Sequence, residues 1–170
     1  HLLHADTRPN LVSSMQIIPG IYLGSIAAAH SLYSLHSLGI TDILTVADIP
    51  PKFPNVSYKQ RFHYKVIEVS DDETTLLAPF FEECIDFIQR ALADQRTVLV
   101  HCMCGVSRSA SIMAAYLIKV QSMSLDDALK FIRRKRPYAN PNPSFIEQLK
   151  EYESEQKVPE VPVEASICCM

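Results

Sequence analysis

Thr97-Val98-Leu99-Val100-His101-Cys102-Met103-Cys104-Gly105-Val106-Ser107-Arg108-Ser109 is the stretch on which the reading of this chain turns. Its first four residues form an uninterrupted, largely β-branched run of the kind found in strands covered on both faces. From Ser109 to Val120 the sequence is apolar enough for a largely buried helix. The predicted unit is therefore strand, loop, helix, with Cys102 at the mouth of the loop. A loop wrapped over a helix N-terminus aims several backbone N–H groups at one point, and the helix dipole adds positive potential there. Such a nest suits a phosphate dianion. Gly105 lets the backbone turn where a Cβ would obstruct it, and Met103, Cys104, Val106 and Ser107 are not bulky enough to fill the hollow.

The same field acts on sulfur. A cysteine at a helix N-terminus beside a cation is stabilised as thiolate, the form that attacks, so Cys102 is the expected nucleophile. Arg108 supplies a planar, permanently charged fork able to hold two oxygens of a phosphoryl group, which the point charge of a lysine does not match. The five residues between them would curl the loop into nearly a circle, with sulfur at its floor and the guanidinium closing the ring, a geometry that permits in-line attack on phosphorus. A buried structural cysteine is the plain alternative for Cys102. The spacing to Arg108 and Ser109 weighs against it.

Outward from this segment, helices and strands alternate. Ile17-Ile18-Pro19-Gly20-Ile21-Tyr22-Leu23 reads as two short extended pieces broken by a Pro-Gly turn. Ala27 to Leu38 reads as a helix ended by Gly39, Ile43 to Val46 as a buried strand before the Pro50, Pro51 and Pro54 loop, and Tyr64 to Val69 as another strand. An acidic, threonine-rich loop runs from Asp71 to Thr75. Leu77, Phe80, Phe81, Cys84, Ile85, Phe87 and Ile88 then mark one face of a helix from Leu76 to Ala93. Further helices are expected from Leu125, capped by Ser124, to Arg136, and from Phe145 to Tyr152. The order predicts an α/β fold: a central mixed, mostly parallel sheet flanked by helices on both sides. Residues 1–14 read as an N-terminal extension, 15–156 as one catalytic domain and 157–170 as a disordered tail.

Composition narrows the function. The chain has 170 residues, 48% hydrophobic and 21% charged, with a net charge of −3, so no global basic field favours nucleic acid and attraction to phosphate must be local. No run approaches the ~18 apolar residues of a membrane span. Five cysteines without regular spacing (Cys84, Cys102, Cys104, Cys168, Cys169) read as free thiols, with none placed for prenylation. A cytoplasmic or nuclear protein, with no nucleic-acid or membrane partner, is the expectation. Of the six histidines, His4, His30, His36 and His63 show no metal-ligand spacing, and no metal or cofactor is called for.

Cys-x5-Arg preceded by His101 and followed by Ser109 resembles the signature of the protein tyrosine phosphatase superfamily, and Gly105-Val106-Ser107-Arg108-Ser109-Ala110 resembles its dual-specificity branch. Gly20-Ile21-Tyr22-Leu23-Gly24 is similar to that branch's opening motif, and Arg136-Pro137 with Pro141-Asn142-Pro143-Ser144-Phe145 and Gln148-Leu149 to its closing one. The resemblance spans roughly residues 16–152 and implies a small, atypical member. It implies that an acid at the end of a strand, ahead of the long helix, protonates the leaving group. Asp71 fits that place, with Asp72 as runner-up and a merely solvated acidic loop as the plain alternative. It further implies that Asp71 later serves as base, that the Ser109 hydroxyl stabilises the departing thiolate, and that His101 and Asn142 support the loop by hydrogen bonds.

The resemblance implies hydrolysis of phosphotyrosine and phosphoserine or phosphothreonine in proteins, with mitogen-activated protein kinases as possible partners. Alternatives are a non-protein phosphate ester (a phosphoinositide, an RNA 5′ end or a phosphoglucan) and a phosphopeptide-binding pseudophosphatase; a sulfur-transfer domain ranks last. Met103, Cys104 and Val106 are uncharged, whereas a highly anionic headgroup would favour added Lys or Arg, so a protein substrate is preferred. Cys104 reads either as a small loop filler or as a thiol able to trap oxidised Cys102 as a disulfide, and the strain of so short a bridge favours the filler. The run Arg133-Arg134-Lys135-Arg136 is read as cations completing a helix C-terminus, with docking or nuclear import as the alternative.

Overall fold

The computed structural model describes residues 14–48 and 61–157. The proline-rich loop, the C-terminal tail beyond Lys157 with Cys168 and Cys169, and all of the N-terminal extension except Ser14 lie outside them, and Lys157 ends the last helix rather than opening the tail. The strands are β1 (Ser14–Ile18), β2 (Ile21–Gly24), β3 (Ile40–Val46), β4 (His63–Ile67) and β5 (Thr97–His101). The helices are α1 (Ile26–His30), α2 (Leu32–Ser37), α3 (Phe81–Ala93), α4 (Arg108–Gln121), α5 (Leu125–Lys135) and α6 (Pro143–Gln156). Ser14, placed by the sequence in the extension, opens β1.

The strands form one sheet in the order β1-β2-β5-β3-β4. β1 and β2 pair antiparallel through the turn at Gly20, whose φ of 82° is the left-handed region that glycine enters without strain. All other pairings are parallel. β5 therefore lies in the middle, and its side chains alternate between two cores. Val98 and Val100 join the large core built with α3, α4, α5 and α6, while Leu99 joins Ala28, Ala29, Leu35 and Ile43 beneath α1 and α2. Helices thus cover both faces, as expected for a strand apolar on both sides. Every residue of α4 from Arg108 to Ile118 is buried, which makes it the central helix.

Several elements differ from the sequence expectation for local reasons. The first helix is two: Ser31 adopts an extended conformation, and its Oγ accepts from Ser34 N at 3.2 Å, so it caps α2 instead of continuing α1. β4 stops at Ile67, releasing Glu68 to Ser70 toward the site. A 3₁₀ turn, Ala78–Phe80, precedes α3 because Pro79 has no N–H to give and is tolerated only in a first turn. α5 ends at Lys135, leaving Arg136 outside the helix. No helix among the described residues is long and apolar enough to cross a membrane.

Phe81 is fully buried and meets the Tyr152 ring edge-on at 5.1 Å, joining α3 to α6. Phe81→Ala is expected to lower the unfolding free energy by about 3–5 kcal/mol, read by urea denaturation. A loss under ~1 kcal/mol would mean that the two helices do not depend on this contact.

Candidate active site

β5 ends at His101 and α4 begins at Arg108, so the intervening loop leaves the central strand and enters the central helix. Its carbonyls face outward. Met103 O accepts from Ile26 N at 3.1 Å and Val106 O from Asn140 N at 2.8 Å. Cys104 O accepts from Arg136 Nη2 at 3.1 Å and Gly105 O from Arg136 Nε at 2.7 Å. In a trans peptide the C=O and the following N–H point in opposite directions, and no cis bond occurs among the described residues. The N–H groups of Cys104, Gly105, Val106 and Ser107 are thereby turned inward. Gly105 N–H demonstrates the direction by donating to Cys102 Sγ at 3.2 Å.

Cys102 is buried, with Sγ 3.1 Å from Ser109 Oγ in the first turn of α4. The dipole and inward amides act on this sulfur. Gly105 has φ of 68°, and a Cβ there would lie 2.5 Å from Gly24 O, so both conformation and space require glycine. Cys104 is exposed, whereas Cys84 is buried in the large core and burial pushes its thiol up to about 12.

The Arg108 side chain is almost wholly buried. Nη1 donates to Val69 O at 2.9 Å and to Asp48 Oδ1 at 3.0 Å. Nε has no hydrogen-bond partner and lies 4.0 Å from Asp71 Oδ2. One edge of the fork is thus anchored and Nε is left over. Asp48 is absent from the sequence-based site, although a signal existed. Asp48, Asp71 and Cys102 follow the parallel strands β3, β4 and β5, and sites in α/β sheets gather at the carboxyl ends of strands.

The two candidate acids are placed differently. Asp71 Oδ1 accepts from Ser107 Oγ at 2.7 Å and from Asn142 Nδ2 at 2.9 Å, which holds the carboxyl over the loop. Asp72 is exposed and folded back on its own turn. The Thr74 hydroxyl, then the Thr74 N–H and the Thr75 hydroxyl, hold it below the usual carboxylate range and keep it on its own turn. Gln148 fastens the same loop to α6: Oε1 accepts from Leu77 N (2.7 Å) and Ala78 N (2.9 Å), and Nε2 donates to Thr75 O (2.9 Å).

His101 lies beneath the loop, fully buried. Nδ1 is 3.2 Å from Cys102 O, which can only accept, so Nδ1 carries the proton and Nε2 accepts from Thr45 Oγ1 at 2.7 Å. Burial lowers this imidazole to about 4, keeping it neutral. Asn142 is a support of a particular kind: it caps α6, ties Asp71, and offers its backbone N–H to Ser107 Oγ at 3.0 Å. Arg133, Arg134 and Lys135 stand in the last turn of α5, as the helix-end reading expects, and Arg136 departs from it. It is buried, clamps two loop carbonyls and stacks 4.5 Å from the centre of the Tyr138 ring, so the run is not a continuous surface patch. No group of three or more metal-ligating side chains placed to hold an ion occurs among the described residues.

A loop whose amides turn inward beside a buried thiol, on the central strand-helix unit of an α/β sheet, is the arrangement of a cysteine-dependent phosphatase. Residues 21–155 match the family described as Dual specificity phosphatase, catalytic domain, and the chain belongs to that family. It is 44% identical over 154 residues to Dual specificity protein phosphatase 1 of Arabidopsis thaliana, covering 90% of this chain and 73% of that one. The structure is similar to the crystal structure of DUSP15 (TM-score 0.78, 34% identity, 85% of this chain and 90% of that one). It is also similar to that of the human tyrosine phosphatase-like serine/threonine/tyrosine-interacting protein (TM-score 0.77, 33% identity, 84% and 96%). The chain is a dual-specificity protein phosphatase.

Two outcomes follow from the supports. Below pH ~6.5 the unfolded chain protonates a histidine that the fold keeps neutral down to about 4, so stability falls as pH drops through that window. Between pH ~7 and ~5 the wild type is expected to lose about 2 kcal/mol more than His101→Asn in urea unfolding. Equal losses would remove His101 as the cause. Arg136→Met strands two loop carbonyls and is expected to lower aryl phosphate turnover at least about tenfold and stability by ~2–4 kcal/mol, with only partial recovery in Arg136→Lys, which lacks the fork. Full activity in both variants would show that the loop holds its shape without the clamp.

Proposed function

We propose that Cys102 is the nucleophile of this phosphatase, Arg108 its phosphate clamp, Asp71 its general acid and Ser109 the group that eases release of the thiolate. The phosphoryl oxygens rest on the inward amides of residues 104–107 and on the guanidinium, whose Nη1 edge is already engaged by Asp48 and Val69. Cys102 Sγ attacks phosphorus as the bond to the leaving oxygen breaks, and Asp71 passes its proton to that oxygen. Water then attacks the cysteinyl-phosphate, giving a proton to the Asp71 carboxylate; sulfur leaves as thiolate beside Ser109 Oγ, and inorganic phosphate departs. The observation that carries the reading is the run of loop carbonyls bound outward, which turns the amides onto a single point above Cys102 Sγ.

Asp71 is preferred to Asp72 because its carboxyl is held beside the loop, whereas Asp72 is engaged by Thr74 and Thr75. A protein substrate is preferred to a polyanionic lipid headgroup because the loop side chains at 103, 104 and 106 add no cation. We further propose mitogen-activated protein kinases among the substrates, on the family likeness, and a place in the cytoplasm or nucleus, which the unpaired cysteine pattern supports.

The test compares phosphotyrosine and phosphothreonine peptides with phosphoinositide vesicles. Peptides are expected to be turned over faster, and Cys102→Ser to lower turnover on the order of 10³-fold or more. Asp71→Asn is expected to slow phenyl phosphate by about 10²-fold or more and para-nitrophenyl phosphate much less, because a good leaving group needs no proton. Asp72→Asn should change both less than about twofold. Reversal of the two aspartates, or an active Cys102→Ser, would overturn the assignment.

A further inference from the structure

Beside the phosphate loop runs an open groove of about 640 Å³, lined in part by Val106, Asp71, Pro141, Pro143, Ile146 and Glu147. Val106 and Asp71 belong to the catalytic ring as well, so groove and ring are continuous. Consecutive Cα atoms of a peptide lie about 3.8 Å apart and a residue two positions on about 7 Å away, so a phosphorylated side chain seated in the ring brings a neighbour to the groove.

The wall chemistry selects among neighbours. Pro141 and Pro143 have rigid rings and no N–H, while the N–H groups of Asn140 and Asn142 are used by Val106 O and Ser107 Oγ. Little backbone remains to pair with a peptide strand, so recognition falls to a side chain. Val106, Ile146 and the two prolines offer apolar surface to a stem. The charged groups lining the groove are Asp71 and Glu147, both acids. Asp71 Oδ1 is occupied by Ser107 and Asn142, which leaves Glu147 as the carboxylate for an incoming head group. Lys150 Nζ sits 2.7 Å from Glu147 Oε1, an exposed pair within one helix of the kind that contributes little. Arg133, which reaches Asn140, is tied to Ala139 O at 2.9 Å and does not line the groove.

We propose that this groove is a subsite for a lysine or arginine flanking the phosphorylated residue, the aliphatic stem lying on Pro141, Pro143 and Ile146 and the cation meeting Glu147. Long cationic side chains bury their methylenes along apolar surface while the charge stays at a wet rim. An acidic neighbour meets repulsion from Glu147. The inference rests on the protein-substrate reading above and names which phosphorylated sequences that site takes.

The experiment uses phosphotyrosine peptides carrying lysine, norleucine or glutamate at each of the two positions on either side. Every kcat/KM is divided by the same enzyme's value on para-nitrophenyl phosphate. At one position the lysine peptide is expected to exceed norleucine by about 3–5-fold, as one exposed charge pair allows. Norleucine is expected to exceed glutamate. The lysine advantage should shrink as salt rises, and Glu147→Lys should reverse the order of lysine and glutamate. Equal rates for lysine and norleucine, or a lysine preference that survives Glu147→Lys, would overturn the subsite alone. Turnover of the aryl phosphate without turnover of any peptide would sink the protein-substrate reading and the subsite with it.

Discussion

The Arg136 guanidinium, buried and forked, holds the carbonyls of Cys104 and Gly105, and the function of the fold passes through that contact. Isolated loops keep their peptide planes mobile. Here the planes are turned one way by donors behind them: Ile26 N, Arg136 and Asn140 N. Each carbonyl pulled outward is an amide pushed inward. The energetic expense of burying Arg136 is offset by these bonds and by the Tyr138 ring, and the result is a binding site whose dipoles are oriented before a phosphate arrives. Gly105 belongs to the same device, since only a residue without Cβ fits between Arg136 and Gly24.

The remaining site groups reach the ring because parallel strands end together. β3 delivers Asp48, β4 releases Val69 and Asp71, and β5 runs into Cys102, all at one edge of the sheet. Two of the three segments engage the same guanidinium, so Arg108 is oriented by the chain leaving β3 and β4, both on one side of β5. α6 closes the arrangement from the other direction. Asn142 and Gln148 bind the acid loop and so couple the Asp71 carboxyl to the helix farthest along the chain.

How much of this was legible depended on sequence distance. Cys102, Gly105, Arg108 and Ser109 lie within one strand-loop-helix unit, so their spacing predicts their geometry. Asp71 was legible as the preferred acid by its place after a strand, with Asp72 as runner-up. What was not legible is that Thr74 and Thr75 engage one carboxylate while Ser107 and Asn142 hold the other. Arg136 was misread because the end of a basic helix resembles a solvated charge run until the loop it faces is in place. Asp48 carried no motif at all. The break of the first helix at Ser31 was hidden by an alanine-rich, leucine-rich pattern that reads through a capping serine.

The sequence by itself determined most of the strand pattern, the apolar faces of the helices, the strand-loop-helix unit that carries Cys102 and Arg108, and the family, because each is written in contiguous or periodic residues whose conformational preferences are local. Tertiary structure decided which carboxyl is held against Ser107 and Asn142, which arginine is buried behind the loop, what anchors the guanidinium and where the groove beside it lies. Those depend on pairs of residues 31 to 71 positions apart meeting at one sheet edge. No local preference encodes such a meeting; it is settled when the packing of α4 against the sheet leaves each of those groups one place to go.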